Sequence, residues 1–169
     1  MMANDHSIDF LPLDGLSDSR PALLGLLGDM RRTLVLYTPL VRAELYNDTE
    51  VIDVIRHRVV SQPKVRLHLI LPPAREWRNG CPRLARIAEQ LTSALLLRTP
   101  NRSEWPDRPE LSQAFAIVDE RALLHFSDPR RLIGSYDSQP SERMKALLEL
   151  FHTLWSRSQA DPDLRWLGI

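Results

Sequence analysis

Apolar residues recur along the chain in two patterns, a helical spacing and short uninterrupted runs. The helical spacing predicts four helices, which run from Pro21 to Met30, from Asn47 to about Ser61, from Pro82 to Leu91 and from Ser141 to Trp155. Apolar runs rich in β-branched and aliphatic residues predict buried strands at 33–38, 65–71, 95–97, 114–119 and 122–126. The spacing of Asn47 and Glu50 predicts that Asn47 caps the second helix.

The order of these elements predicts the fold class. Alternating helices and strands are typical of a parallel sheet with right-handed crossovers, and residues 114–126 have the pattern of a hairpin. We therefore expect one α/β sandwich domain, with a mixed, mostly parallel sheet and helices on both faces. Its predicted bounds are 20–158, with a polar leader at 1–19 and a tail at 159–169 that docks through Leu164 and Trp166.

Charge and cysteine content narrow the function classes. The 22 basic and 22 acidic residues cancel, which disfavours nucleic acid and anionic membranes as partners, although twenty of the basic residues are arginines. The single cysteine, Cys81, excludes an internal disulfide and a cysteine-rich zinc site, and its polar surroundings predict an exposed thiol. We see no signal peptide and no apolar run long enough to span a membrane, so we expect a cytoplasmic protein.

Several common catalytic motifs are missing from the sequence. No glycine-rich phosphate loop and no G-x-S-x-G turn is present, and the five histidines lack the spacing of metal ligands. We therefore expect no cofactor and no metal.

Residues 112–155 contain the pattern that carries the most functional information. A strand ends in Val118–Asp119, a hairpin follows, and Gly134-Ser135-Tyr136-Asp137 precedes the last helix. This pattern resembles the C-terminal part of a phospholipase D-like half-domain, in which a strand carries His-x-Lys-x4-Asp and a Gly-Ser-x-Asn turn follows. The order of elements extends the resemblance over about 20–158. The chain also resembles an uncharacterised bacterial domain family of this type, sometimes found beside acetyltransferase domains.

This sequence departs from the phospholipase D-like motif at its two reactive positions. Asp119 matches the aspartate, but Ser112 stands at the histidine position and Ala114 at the lysine position. The resemblance implies a histidine nucleophile and a lysine that stabilises the phosphoryl oxygens, so hydrolysis by the family mechanism is not expected. The vestigial catalytic candidates are Ser112, Asp119, His125 and Ser135. Asp119 also fits an ordinary turn residue at the start of the hairpin.

Arginines supply the candidate binding residues. Arg121, Arg130 and Arg131 flank the predicted hairpin, and further arginines lie in the second crossover, at Arg75, Arg78, Arg83 and Arg86. Guanidinium groups suit phosphate oxygens, although the same arginines also fit a solvated surface. The resemblance further implies that two half-domains pair about a two-fold axis, which predicts a homodimer.

Three functions remain open from the sequence. The first is a catalytically inactive phospholipase D-like module that acts in ligand binding or protein interaction, as a homodimer or beside a partner enzyme. The second is an enzyme with an altered site that uses Asp119, His125 or Ser135 on a phosphorylated or phosphodiester substrate. The third is nucleic-acid binding through the arginine clusters, against which the zero net charge weighs.

Overall fold

Helices and strands alternate as the periodicity predicts, and two short strands are added at the ends. The computed structural model describes residues 10–101, 103 and 108–165. Its helices are α1 (Leu16–Gly28), α2 (Ala43–Tyr46), α3 (Thr49–Ser61), α4 (Pro82–Gln90), α5 (Glu142–Ser156) and α6 (Pro162–Arg165). Its strands are β1 (Phe10–Asp14), β2 (Thr33–Tyr37), β3 (Arg66–Ile70), β4 (Leu95–Pro100), β5 (Ala114–Val118), β6 (Ala122–Asp128), β7 (Ile133–Asp137) and β8 (Ser158–Ala160).

Side-chain caps fix where the long helices begin. The Ser141 hydroxyl accepts the N–H of Met144 at 3.1 Å at the start of α5, as the sequence predicts. At α3 the cap is Asp48, whose carboxylate accepts the N–H groups of Glu50 and Val51. The prediction that Asn47 caps this helix is wrong. Its side-chain oxygen instead accepts the N–H groups of the first turn of α4.

The eight strands of the described chain form one sheet in the order β1-β7-β6-β5-β2-β3-β4-β8. Only the β2–β3 and β3–β4 pairs are parallel. The prediction of a mostly parallel sheet is therefore wrong, whereas the mixed α/β class is confirmed. The crossover helices were visible in the sequence, but the meander β5-β6-β7 joins β2 antiparallel and the edge strands are antiparallel as well.

Both flanking segments contribute strands to the sheet. Residues 10–14, which we expected in a polar leader, form β1 beside β7, and α1 begins at Leu16 instead of near Arg20. Only Leu13 of β1 is buried, so five residues carry too little apolar pattern to predict a strand. In the tail, β8 pairs with β4 and Leu164 packs against the core. Trp166 lies outside the described residues.

Helices cover both faces of the sheet, as predicted. α1, α3 and α4 pack on one face, over a core that includes Leu26, Leu67 and Ile87. α5 packs on the other face through Phe151, against residues such as Phe115. Cys81 is fully buried at the start of α4, so the prediction of an exposed thiol is wrong. None of the described helices has the length and apolar character that a membrane span requires.

Candidate functional site

Most of the candidate residues lie near the two ends of the strands of the sheet. We call the edge where β2 and β3 end the carboxyl edge, and the edge where they begin the amino edge. Because β5 runs antiparallel to β2, Ala114 lies at the carboxyl edge and Val118 at the amino edge. In α/β proteins, ligands bind preferentially beyond the carboxyl ends of parallel strands.

The two reactive positions of the phospholipase D-like motif are occupied by Ser112 and Ala114. Ser112 ends a short 3-10 turn, and its hydroxyl donates to the carbonyl of Pro109 at 2.7 Å. Ala114 is 0% exposed and belongs to the core on the face of the sheet that α1, α3 and α4 cover. The carboxyl edge therefore lacks the histidine and the lysine of the motif at these positions.

Asp119 is tied into the backbone of the amino edge. Its carboxylate accepts the N–H groups of Arg31, Arg32 and Thr33 at 2.8, 2.8 and 2.9 Å. Asp119 has φ 54° and Glu120 has φ 53°, so both form a left-handed turn between β5 and β6. At about 3.3 Å per residue, Asp119 lies about 17 Å along the strand from Ala114. This geometry supports the interpretation of Asp119 as a turn residue.

Gly134 and Ser135 lie inside β7, so the prediction that they form a turn is wrong. A Cβ atom built on Gly134 would stand 1.8 Å from the carbonyl oxygen of His125. The glycine is therefore required by the close approach of β6 and β7 at the register shift between Phe126 and Asp128.

The register of β6 and β7 places His125 opposite Ser135. The ring nitrogen Nε2 of His125 lies 2.6 Å from the side-chain oxygen of Gln113, and Arg143 donates to the Ser135 hydroxyl at 2.8 Å. We call these four residues the His125 cluster. His125 and Ser135 are 9% and 5% exposed, whereas the Arg143 side chain is exposed on the first turn of α5.

The sequence alone did not identify Gln113 and Arg143 as candidate site residues. Gln113 has the strand parity of Phe115, so it points to the face covered by α5, but its contact depends on the register of β6. No local pattern marks Arg143.

The His125 imidazole is neutral at neutral pH. Burial first, and the nearby Arg143 guanidinium second, lower the pKa of His125 to about 4. A neutral imidazole can accept a proton from a neighbouring group, so the cluster retains one property of a general base. Gln113 occupies one of its two ring nitrogens.

We expect His125 to make the fold sensitive to acid. Its folded-state pKa of about 4 lies below the ordinary value of 6.5, so the unfolded chain binds more protons between these values. The free energy of unfolding should therefore fall, by about 3 kcal/mol, as the pH decreases from about 6.5 to about 4. Urea unfolding at a series of pH values measures this loss, and His125→Gln, which cannot titrate, should remove most of it. An equally steep loss in the variant would contradict the assignment to His125.

The three hairpin arginines are not brought together. Arg121 follows the β5–β6 turn, whereas Arg130 and Arg131 lie in the β6–β7 turn at the other end of β6. Asp128 lies seven positions after Arg121, or about 23 Å along the strand. The backbone N–H groups of Arg130 and Arg131 donate to Asp128 at 3.1 and 3.2 Å. Arg121 therefore lies at the opposite end of β6 from Arg130 and Arg131.

A polar cleft of about 680 Å³ opens at the amino edge, and we call it the amino-edge cleft. It lies between the ends of α1 and α3, the β5–β6 turn and the end of β7. Its lining consists of Leu26, Gly28, Asp29, Arg31, Arg58, Gln62, Val118, Asp119, Arg121, Ala122, Tyr136 and Ser138. Arg121, one of the predicted binding residues, thus lines this cleft. The crossover arginines Arg75, Arg78, Arg83 and Arg86 do not line it.

The arginines of the amino-edge cleft differ in their partners. Arg58 donates to the carbonyl of Gly28 and so closes the end of α1. The guanidinium groups of Arg31 and Arg121 make no hydrogen bond or ion pair with any residue that the structure describes, and both side chains are exposed. Two guanidinium groups are therefore available to a ligand. Within the described ranges, no group of three His, Cys, Asp or Glu side chains is arranged to hold a metal ion.

Comparisons with known proteins place the chain in a family and a fold. The family model described as "Domain of unknown function (DUF7931)" matches residues 16–167. No curated protein matches the sequence significantly.

Solved structures with the same architecture include NucT and Nuc, and Nuc is a phospholipase D family member. NucT from Helicobacter pylori has a TM-score of 0.60 at 9% identity, with 89% of this chain and 98% of that chain covered. Nuc from Salmonella typhimurium, a phospholipase D family member, has a TM-score of 0.56 at 14% identity, with 89% and 97% covered. At such identities the likeness shows the fold alone, and it confirms a phospholipase D-like fold.

TrmBL2, an archaeal chromatin protein that binds DNA, is also similar in structure. Its TM-score is 0.63 at 13% identity, with 94% of this chain and 56% of that chain covered. This chain therefore spans just over half the length of that protein.

Proposed function

Because the chain belongs to the DUF7931 family and has a phospholipase D-like fold, we propose that it is a non-catalytic member of this fold that binds an anionic, phosphorylated ligand. The ligand contacts Arg31 and Arg121 in the amino-edge cleft. The observation that carries the proposal is this pair of unpartnered guanidinium groups. It is joined by the replacement of the motif's histidine and lysine by Ser112 and Ala114.

The motif positions support the absence of phosphodiester cleavage. Hydrolysis by the mechanism that the resemblance implies requires a histidine nucleophile and a lysine beside the phosphoryl oxygens. The serine hydroxyl at position 112 is engaged with Pro109, and the methyl group at position 114 is buried in the core. Asp119 is held by three backbone N–H groups, which suits a structural role.

The charges of the amino-edge cleft support anion binding. Three guanidinium groups line it, from Arg31, Arg58 and Arg121, against the carboxylates of Asp29 and Asp119. The charge of Asp119 is already compensated by the three N–H groups that it accepts. The cleft therefore retains positive charge, and charge-assisted contacts from two arginines to a phosphate are among the stronger polar contacts in proteins.

We expect Arg121→Ala to weaken the binding of inorganic pyrophosphate about tenfold or more, because one charge-assisted contact is lost. Isothermal titration of the full chain at low ionic strength measures the affinity. Arg130→Ala is the matched control, since Arg130 is an exposed arginine at the opposite end of β6. Equal affinities for the two variants would contradict binding in the amino-edge cleft.

The second candidate is an enzyme with an altered site, favoured by the pairing of His125 with Ser135. A neutral histidine beside a serine is the start of an activated nucleophile. However, both side chains are buried, and the Ser135 hydroxyl accepts from Arg143. Hydrolysis of bis(p-nitrophenyl) phosphate by the wild-type chain, abolished in Ser135→Ala and retained in Ser112→Ala, would establish this candidate over the binding module.

The binding of DNA by TrmBL2 suggests nucleic acid as another ligand for this fold. We favour a small phosphorylated ligand, because the net charge of zero provides little general attraction to a polyanion. Homodimerisation, a partner enzyme and a cytoplasmic location stay predictions.

A further inference from the structure

The lining of the amino-edge cleft also includes a carboxylate, that of Asp29. Asp29 follows the end of α1, its side chain is exposed, and its carboxylate has no hydrogen-bond or ion-pair partner among the residues that the structure describes. Tyr136 lies beside it on β7. Burial first, and the negative charge of Asp29 second, raise the pKa of the Tyr136 phenol. The two polar groups therefore lie within electrostatic reach of each other.

This carboxylate restricts the chemistry of the ligand. A bare phosphate is attracted by Arg31 and Arg121 but repelled by Asp29, and it would fill only a small part of a cleft of about 680 Å³. Clefts of this size commonly hold whole small molecules. A ligand that uses all of these charged groups must place its phosphate on the arginines and hydrogen-bond donors on Asp29.

Hydroxyl groups fit this second requirement better than an ammonium group. An ammonium would pair with Asp29, but three guanidinium groups in the same cleft would repel it. Neighbouring hydroxyls donate to both carboxylate oxygens without adding charge, and the Tyr136 hydroxyl can donate or accept. The half-buried side chain of Ala122 provides apolar surface for the C–H groups of a sugar ring.

We propose that the amino-edge cleft binds the phosphate monoester of a sugar, with the phosphate on Arg31 and Arg121 and two neighbouring sugar hydroxyls on Asp29. This inference rests on the proposed function, because it needs the phosphate to bind at these arginines. A free sugar phosphate and the ribose phosphate of a nucleotide share this chemistry.

Isothermal titration with ribose 5-phosphate and 2-deoxyribose 5-phosphate tests the role of the hydroxyls. We expect wild-type protein to prefer ribose 5-phosphate at least tenfold, because a site that binds a hydroxyl discriminates against an analogue without it. Asp29→Asn should reduce this preference to less than threefold, while pyrophosphate binding stays the same or strengthens. Asp53→Asn, on the exposed side of α3, is the matched control and should keep the full preference. Adenosine 5′-monophosphate, titrated in parallel, distinguishes a nucleotide from a free sugar phosphate.

The outcomes separate this inference from the proposed function. Equal binding of the two sugar phosphates, or tighter binding of phosphoethanolamine, would overturn the sugar assignment even if pyrophosphate binding still required Arg121. If neither pyrophosphate nor ribose 5-phosphate binds, the proposed function fails and the inference fails with it. A tenfold preference that survives in Asp29→Asn would place the hydroxyls elsewhere and overturn the role of Asp29.

Discussion

Replacing Gly134 with alanine is expected to destabilise the protein by about 3 kcal/mol or more, or to prevent folding. The new methyl group would stand 1.8 Å from the carbonyl oxygen of His125 and 2.7 Å from the Cα of Phe126. Both atoms belong to the backbone of β6, so no side-chain rotation relieves the contact. The two strands would have to separate, which would break their hydrogen bonds and move His125 away from Ser135.

Gly25→Ala provides the control for Gly134→Ala. Gly25 lies within α1 at an exposed position, and an added methyl group there has no neighbour within 4 Å. Alanine is the better helix former, so this variant should gain about 0.5–1 kcal/mol. Urea unfolding followed by circular dichroism measures both changes. A Gly134→Ala protein within about 1 kcal/mol of wild type would contradict the close approach of β6 and β7.

Replacing Asp119 with alanine is expected to cost about 2–4 kcal/mol, because three backbone N–H groups lose a charged acceptor. These donors lie in Arg31, Arg32 and Thr33, where the chain enters β2, and the acceptor lies in the β5–β6 turn. The substitution therefore loosens the connection between two segments that are distant in sequence. The amino-edge cleft shares this connection, so its affinity for pyrophosphate should fall as well.

Two further variants, at Asp119 and at its neighbour Glu120, distinguish the effect of the lost hydrogen bonds on stability from the effect of the backbone conformation. Asp119→Asn keeps one acceptor oxygen and tolerates the positive φ, so it should cost clearly less than alanine. Glu120→Ala removes an exposed side chain at a similar φ of 53° and should change stability by less than about 0.5 kcal/mol. If Asp119→Ala unfolds at the same urea concentration as wild type, the carboxylate is not structural and a functional role for Asp119 regains support.

The parts of the fold with a strong local pattern could be predicted from the sequence. The crossover helices and the buried strands β2, β3 and β5 have apolar residues at the spacing of their elements. β1 and β8 could not be predicted, since five- and three-residue edge strands bury few side chains. The sheet was expected to be mostly parallel because sequence order alone does not show that β5 returns beside β2 in the opposite direction.

The candidate site depends on register and distant contacts, which no local pattern encodes. Gly134-Ser135 predicts a turn, because the sequence alone does not show whether a glycine is needed for a turn or for the close approach of two strands. Ser135 meets His125 only through the pairing of β6 with β7. Arg31 and Arg121 share a cleft because the carboxylate of Asp119 joins their segments. Arg31 and Asp119 are 88 residues apart in the sequence.

Phosphorus NMR of three parallel samples, one each for wild type, Arg121→Ala and Arg130→Ala, follows binding and cleavage together. Each sample contains the full chain, inorganic pyrophosphate and bis(p-nitrophenyl) phosphate. We expect the pyrophosphate resonance to broaden or shift with wild-type protein and with Arg130→Ala, but much less with Arg121→Ala, while the diester resonance persists unchanged. Conversion of the diester into its monoester, or a pyrophosphate resonance that responds equally to all three proteins, would contradict a non-catalytic module that binds its ligand in the amino-edge cleft.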